Sequence, residues 1–183
     1  YNMHPNANFM LLHRYYSHDY WSMFGSSFGE SSSLQNENGW YLATEVAPVA
    51  RWRFFGSIDL LSHPWWKYRI SKPSKGLDAM FQATFTPSEN WSFLMNYRYK
   101  RKERDVTIDK EKVTLPTYQH RFRMRMDFAK GPWQLRTTLD FNQFQQLYFH
   151  PSRGYALTQM GHYKVSDKWQ FTLQGTYFHT DDY

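Results

Sequence analysis

Strict two-residue alternation of side chains is the feature that most constrains this fold. Between residues 91 and 102, Trp, Phe, Met and Tyr side chains occupy alternate positions, and mostly polar or basic side chains lie between them. Successive side chains of a β-strand point to opposite faces of the sheet, so this period indicates a strand with one apolar and one polar face. Residues 121–128, 133–142 and 169–178 alternate in the same way, and their apolar positions carry no charge.

Weaker alternation extends this pattern to most of the remaining chain, with the segment 9–15 as the ninth and weakest strand. No segment has the uninterrupted period and the caps of an amphipathic helix, so parallel βαβ architecture is disfavoured. The sequence therefore predicts an all-β fold of about eight or nine antiparallel up-and-down strands. The expected strands are residues 8–17, 40–47, 51–61, 76–86, 91–102, 118–129, 133–146, 154–164 and 168–180.

Tryptophan marks one class of connection between these strands. Short turns are expected at 47–50, 87–90, 130–132 and 166–168, and a Trp follows each of them at once or nearly so. These residues, Trp52, Trp91, Trp133 and Trp169, are 39, 42 and 36 residues apart, which indicates a repeat of one hairpin plus one loop. Longer polar connections are expected between the turns, at about 18–39, 62–76, 103–117 and 147–153.

Aromatic residues are abundant in a chain of negative mean hydropathy. There are 8 Trp, 14 Tyr and 15 Phe, and no apolar run is long enough for a transmembrane helix. A transmembrane β-strand needs only about 9–11 residues with every second one apolar, and aromatic residues gather at both membrane interfaces. The pattern predicts a transmembrane β-barrel of the bacterial outer membrane, with lipid as a partner and the four Trp residues at one interface. The alternative is a soluble β-sandwich or a lipocalin-like, ligand-binding barrel with the apolar face turned inward.

Barrel closure is not expected within these residues. Single-chain bacterial barrels normally have an even number of strands, whereas nine are expected here. Dropping the weakest strand leaves eight, but both ends of the chain then fall on the long-loop side. We therefore expect the 183 residues to be one barrel segment that forms part of a larger barrel.

Several stretches resemble the barrel region of large outer-membrane proteins of Bacteroidota that contain helix-hairpin-helix segments. The resemblance extends over nearly the whole chain and is carried by residues 14–20, 26–33, 40–48, 64–69, 97–103, 119–123 and 177–183. In that family a periplasmic DNA-binding-like segment precedes the barrel and further strands follow it. The resemblance implies the outer membrane and a larger barrel, and it implies little about mechanism.

Basic side chains concentrate on the polar positions of neighbouring strands. The basic stripe consists of Arg98, Lys100, Lys102, Arg121, Arg123, Arg125 and Arg136. In a barrel these side chains point into the lumen, where they would favour anionic solutes or guide a nucleic-acid backbone. The alternative is an ion-pair network that fills the interior, with Glu45, Asp59, Asp78, Asp127 and Asp140 as partners.

Other candidate sites are weaker. His179, Asp181 and Asp182 have the chemistry to hold a hard cation, although such groups are usually only solvated. Ser17, His18 and Asp19 are the residue types of a hydrolase triad, but consecutive residues on an extended chain alternate faces. The loop aromatics at 63–68 suit stacking on sugars or bases, or capping of the barrel rim. With no cysteine, no phosphate loop and no metalloprotease motif, we expect no enzyme, no metal and no cofactor.

Two functions of different classes therefore remain open. One is a porin-like transport or uptake pore with a basic lumen, for anions or nucleic acid. The other is a structural barrel that displays loops or anchors a periplasmic protein partner. An open lumen would indicate transport, whereas a lumen filled by side chains or a plug would indicate scaffolding.

Overall fold

A computed structural model describes residues 2–4, 6–21, 28–29, 35–67, 70–108 and 110–181, with the backbone alone for 2–4. Regular structure in these residues is entirely β. The strands are β1 (Asn2–His4), β2 (Ala7–Tyr16), β3 (Glu37–Val46), β4 (Trp52–His63), β5 (Ser74–Ser88), β6 (Trp91–Ile108), β7 (Glu111–Lys130), β8 (Trp133–Gln146), β9 (Ser152–Lys164) and β10 (Gln170–Thr180). None of the described residues forms a helix that is long and apolar enough to cross a membrane.

All ten described strands form one sheet in chain order. Every neighbouring pair is antiparallel, as consecutive hairpins require. Among the described residues β1 and β10 are the two edges of the sheet, and they do not pair with each other. The predicted all-β, antiparallel, up-and-down fold is therefore confirmed, and the open sheet is consistent with a barrel fragment.

The weakest expected strand is fully formed. β2 pairs with β3 over ten residues, from Ala7 opposite Val46 to Tyr16 opposite Glu37. A short strand that the sequence reading missed, β1, adds two further pairs at the edge. The pairing of β2 shows that its neighbour, rather than its own weak alternation, decides its conformation.

The expected long loop at 103–117 is wrong. β6 and β7 continue as a paired ribbon to Ile108 opposite Glu111, so the connection is only residues 109–110. Charged residues dominate this segment and conceal its strand pattern, yet Val106 pairs with Val113 and Asp105 with Thr114. Lys110 has a φ of 71°, the left-handed conformation that a two-residue hairpin turn needs. Strict alternation of short and long connections is therefore also wrong. The longest connections between described strands are 17–36 and 64–73, which the structure describes only in part.

Pairing register carries the alternation across the whole sheet. Phe93 of β6 faces Phe85 of β5 and Met126 of β7, and Met126 faces Thr137 of β8. Register shifts occur only near turns, at the ends of β1 and β5. Each strand from β2 to β10 therefore contributes its apolar positions to one face, which we name the apolar face, and its polar positions to the other, the polar face.

Glycine is required on the polar face at Gly39. A Cβ added there would lie 3.0 Å from the Leu60 carbonyl oxygen and 3.1 Å from Cζ of Arg14. Gly56, on the apolar face of the neighbouring strand, has no atom nearer than 3.9 Å to such a Cβ. The two positions form a matched pair for testing the packing of the polar face.

We expect Gly39→Ala to lower the free energy of unfolding by about 2 kcal/mol, because overpacking displaces the backbone or the guanidinium. Gly56→Ala should change it by less than about 0.5 kcal/mol. Denaturant unfolding of the two detergent-solubilised variants measures both values. Equal effects would show that the approach of Arg14 to Gly39 has no energetic consequence.

Candidate functional site

A continuous apolar surface runs across nine strands on the apolar face. Between its two ends this face carries no Asp, Glu, Lys or Arg in any described strand. Its side chains are exposed, as shown by Leu173 at 81% and Phe171 at 60% of their full accessible surface. Soluble monomers rarely expose an apolar patch of this extent. On β6 the surface runs from Trp91 to Tyr99, about 27 Å of strand length.

Aromatic pairs in ring contact form one rim of this surface, beside the short turns. The rings of Trp52 and Phe85 are 4.5 Å apart between centroids, and those of Trp91 and Phe128 are 4.6 Å apart. Trp133 and Tyr163 repeat the arrangement at 4.4 Å. Each Trp is the first residue of its strand and contacts the next strand along the sheet. The structure thus places the first three of the four Trp residues predicted at one interface in equivalent positions, at the starts of alternate strands.

Trp169 departs slightly from the pattern. It lies one residue before β10, and its carbonyl accepts hydrogen bonds from the amides of Val165 and Ser166 at 3.0 and 3.2 Å. It is 66% exposed. β10 is an edge of the described sheet, so no described strand lies on the side where the other three Trp residues contact a ring.

Tyrosine and histidine form the opposite rim. The Tyr97 hydroxyl is 2.8 Å from Nδ1 of His120. Tyr155 lies 5.4 Å from the His179 ring, and His13 lies 4.4 Å from Trp40. Beyond this rim the same face becomes charged, with Lys75, Arg101 and Arg153. Two amphipathic aromatic rims therefore bound a charge-free band.

The polar face holds the basic stripe in ion pairs. Asp78 of β5 accepts from Arg98 at 2.6 Å and from Lys100 at 2.9 Å. Arg123 donates to Asp140 at 2.6 Å, and Asp127 lies 2.8 Å from Arg125 and 2.5 Å from Arg136. Arg121 donates to the Asn142 amide oxygen at 3.0 Å. The ion-pair network therefore exists, and it includes three of the expected carboxylates: Asp78, Asp127 and Asp140.

Charge is nevertheless unevenly distributed on this face. On the polar face of β6–β8 cations outnumber carboxylates: the stripe residues and Arg104 make eight cations, against Asp127, Asp140 and, at the far end of β7, Glu111. Arg98 lies directly opposite Arg121, and both line a small cavity of about 60 Å³ with Lys100 and Gln119. Like charges at opposed positions repel, and here Arg98 is paired with Asp78 while Arg121 is hydrogen-bonded to Asn142. The structure thus supports a basic polar face on β6–β8.

A buried charged cluster on β2–β4 was missed by sequence reasoning. Arg14 and Glu37 are 4% and 1% exposed and form an ion pair, and Arg14 Nη2 donates to both oxygens of Asp59 at 2.9 Å. Phe28 of the 17–36 connection lies over the guanidinium at 5.0 Å. Asp59 therefore pairs with Arg14, and Glu45 pairs with Arg53, instead of with the stripe. The position of Arg14 on the polar side of the alternation in β2 could have suggested a buried ion pair. Its partner Glu37, however, lies outside the expected strand 40–47.

Buried residues identify the crowded side of the sheet. Within the described strands they lie on the polar face with the exception of Ala83. They include charged Arg14 and Glu37 as well as apolar Leu61 and Leu115. The polar face is therefore the more closely packed of the two faces.

The weaker candidates are not assembled into sites. His179 Nε2 is 3.9 Å from Asp181, Asp182 lies outside the described residues, and no group of three potential metal ligands occurs among those described. The Ser17 hydroxyl hydrogen-bonds to the Asp19 carboxylate, which lowers the pKa of Asp19. His18 instead stacks on Trp65 at 5.3 Å, so the three residues do not form a nucleophile–base–orienter relay. Tyr68, the last of the loop aromatics, lies outside the described residues.

We expect Asp78→Asn to lower the free energy of unfolding by about 2 kcal/mol, because it leaves Arg98 and Lys100 without their shared carboxylate in a half-buried setting. The matched control is Asp167→Asn, whose carboxylate pairs with Lys164 but is 95% exposed and should contribute under ~0.5 kcal/mol. Denaturant unfolding in detergent gives both values. Equal losses would argue against a structural role for the Asp78 network.

Comparison of the chain with family models, with curated proteins and with solved structures finds no match.

Proposed function

We propose that this chain forms part of the wall of a bacterial outer-membrane β-barrel, whose basic lumen admits anionic solutes and possesses the charge to admit nucleic acid. The observation that carries the proposal is the charge-free apolar face, exposed on nine paired strands. In the proposed barrel this face contacts the acyl chains of the lipid bilayer. The polar face then lines the lumen.

The crowding of the polar face supports this orientation over a soluble barrel. In a lipocalin-like barrel the apolar face would be the interior and the charged residues would face bulk water. Here the most deeply buried charged residues, Arg14 and Glu37, lie on the polar face beneath Phe28. Burial of paired charges is expected inside a lumen and is unnecessary on a water-exposed surface.

The two aromatic rims of the apolar band also fit a membrane. Outer-membrane barrels carry an apolar band about 25 Å tall between two aromatic girdles. The Trp–Phe and Trp–Tyr rim lies at the short turns, and the Tyr–His rim lies at the ends with the longer connections. Since periplasmic turns are short and extracellular loops are longer, the Trp rim would be periplasmic. The resemblance to Bacteroidota barrel proteins agrees with this compartment and stays a prediction.

A scaffolding barrel is the second candidate, and the ion pairs favour it. The paired side chains around Asp78 and Asp127, together with the Phe28 ring, lie on the polar face and would fill a narrow lumen. A filled barrel would serve to display its loops or to anchor a periplasmic protein. Conductance separates the two functions, because only an open lumen passes ions.

A pair of substitutions on adjacent residues tests the membrane proposal. Met95 lies in the middle of the apolar face of β6 and Asn96 lies on its polar face. Met95→Arg should lower the stability of the barrel in lipid vesicles by about 2–4 kcal/mol, as for a cation at the bilayer midplane, and Asn96→Arg by less than about 1 kcal/mol.

Folding of the full-length protein into vesicles is followed by the heat-dependent shift of its mobility on gels and by circular dichroism. Quenching of Trp fluorescence by lipids brominated near the headgroup then places the Trp rim at the interface. A folded, monodisperse protein obtained without detergent or lipid would contradict the proposal.

The pore proposal predicts anion preference. In planar bilayers under a salt gradient, the reversal potential of the full-length protein should favour chloride over potassium. Arg98→Glu with Arg121→Glu should shift it towards potassium, because this change reverses the charge of the opposed pair. Arg153→Glu is the matched control, since Arg153 lies on the opposite face beyond the rim. Absence of conductance in correctly folded protein would favour the scaffold.

A further inference from the structure

Three aromatic rings form an exposed row on the two long connections. His18 stacks on Trp65 with the ring centroids 5.3 Å apart and the planes inclined by 28°. Trp65 in turn stacks on Trp66 at 5.8 Å and 29°. The two indoles are 55% and 69% exposed. We name His18, Trp65 and Trp66 the aromatic row.

Hydrogen bonds to Asn36 hold the row in place. Its side-chain amide donates to the carbonyls of Trp65 at 2.6 Å and Trp66 at 3.1 Å, and its oxygen accepts from the Trp65 amide at 2.7 Å. The Asn36 backbone amide donates to the Ser17 carbonyl at 2.9 Å, next to His18. Asn36 is 7% exposed and has a φ of 58°, a conformation that Asn tolerates better than most residues. One buried side chain therefore joins both connections.

This arrangement differs from simple capping of a rim. A capping aromatic buries its ring, whereas the two indoles keep more than half of their surface in solvent while their backbone is fixed. Fixing the backbone of exposed rings in advance lowers the entropy cost of stacking a ligand on them. Trp21, on the same connection as His18, is 80% exposed and provides a nearby Trp outside the row.

A basic cavity of about 640 Å³ lies beside the row. His63, Lys67, Lys102 and Arg104 contribute to its lining, and Lys67 directly follows Trp66 in the chain. Lys67 Nζ is 3.1 Å from His63 Nε2. Two carboxylates also line the cavity, but backbone amides already engage them, Glu103 through Lys75 and Asp105 through Ser71. The Thr114 hydroxyl and these contacts hold the pKa of Asp105 below its usual value, so it stays ionised and bonded.

We propose that the aromatic row and the basic cavity form a binding site for a nucleotide unit, with the base stacked on the row and the phosphate in the cavity. Nearly parallel rings present flat faces, which match a planar base better than a puckered sugar. A nucleotide also carries a phosphate, whose charge is opposite to that of the Lys67, Lys75, Lys102 and Arg104 side chains that line the cavity. Stacking on aromatic side chains beside a positive groove is a general mode of single-strand recognition.

The site adds a ligand class to the proposed pore, because it would lie at the pore mouth on the side of the long connections, next to the basic stripe. Its location at a pore mouth rests on the proposed function. Binding itself requires the folded loops and the adjoining ends of β4 and β6, which carry His63, Lys102 and Arg104. Nucleotide binding is measured in detergent and conductance in bilayers, so one proposal can fail while the other stands. Both a free mononucleotide and a single-stranded nucleic acid carry the required chemistry.

The test uses folded full-length protein in detergent and a fluorescently labelled oligothymidylate, with anisotropy as the readout. Thymidine monophosphate, thymidine and inorganic phosphate are the competitors. We expect the monophosphate to compete better than either of its parts. If the monophosphate competes at a concentration similar to that of the oligothymidylate, counted per nucleotide, the ligand is a free nucleotide. If it competes much more weakly, the ligand is a single strand.

Two variants with matched controls locate the site. Trp66→Ala should weaken binding about tenfold, within the range for loss of one stacked base, and Trp21→Ala should not. Arg104→Gln should weaken binding and reduce the salt slope by about one, and Arg153→Gln should leave both unchanged.

Heat-dependent gel mobility confirms that each variant is folded, and Trp66→Phe, which keeps a flat ring, should retain most of the affinity. The proposal is overturned if the wild-type protein binds no probe, if Trp66→Ala binds like Trp21→Ala, or if phosphate alone competes as well as the monophosphate.

Discussion

The structure depends on a single geometric constraint, the alternation of side chains along paired strands. In a sheet held by backbone hydrogen bonds, a shift of one residue in any strand would move all its apolar side chains to the other face. Ten consecutive pairs from Ala7 to Tyr16 and eighteen from Trp91 to Ile108 keep the alternation in step between neighbours. The shift on β5 lies between Phe85 and Ser88, near the turn, and leaves the apolar band intact.

Ion pairing on the polar face follows from that alternation. Once the apolar side chains occupy one face, the charged residues of adjacent strands must share the other at distances of a few ångströms. Carboxylates at Asp78, Asp127 and Asp140 offset part of the positive charge, and the opposed pair of Arg98 and Arg121 keeps an excess on β6 and β7. This polar face is both bonded and basic, which would suit the proposed pore that selects by charge.

The connections add a second level of organisation at one end of the sheet. Asn36 fixes the 17–36 and 64–73 connections to each other, and Phe28 packs over the Arg14 guanidinium. Among the described residues of these loops, polar contacts of Asn36 and ring contacts of Phe28 hold the loops to each other and to the sheet. A wall of uniform strands with specialised loops lets recognition residues differ without altering the fold.

The sequence by itself determined nine of the ten described strands, their faces and the Trp rim, because these are local: a period of two residues fixes the face of each side chain, and the Trp residues after the four expected short turns fix the position of that rim. The turn at 109–110 was not predicted, because the many charged residues of 103–117 conceal the alternation of the two strands that flank it. Only the tertiary structure decided which charges pair and which rings stack. Asp59 meets Arg14 across 45 residues and Trp65 meets Asn36 across 29, and such partners follow from pairing and loop packing that no local period encodes.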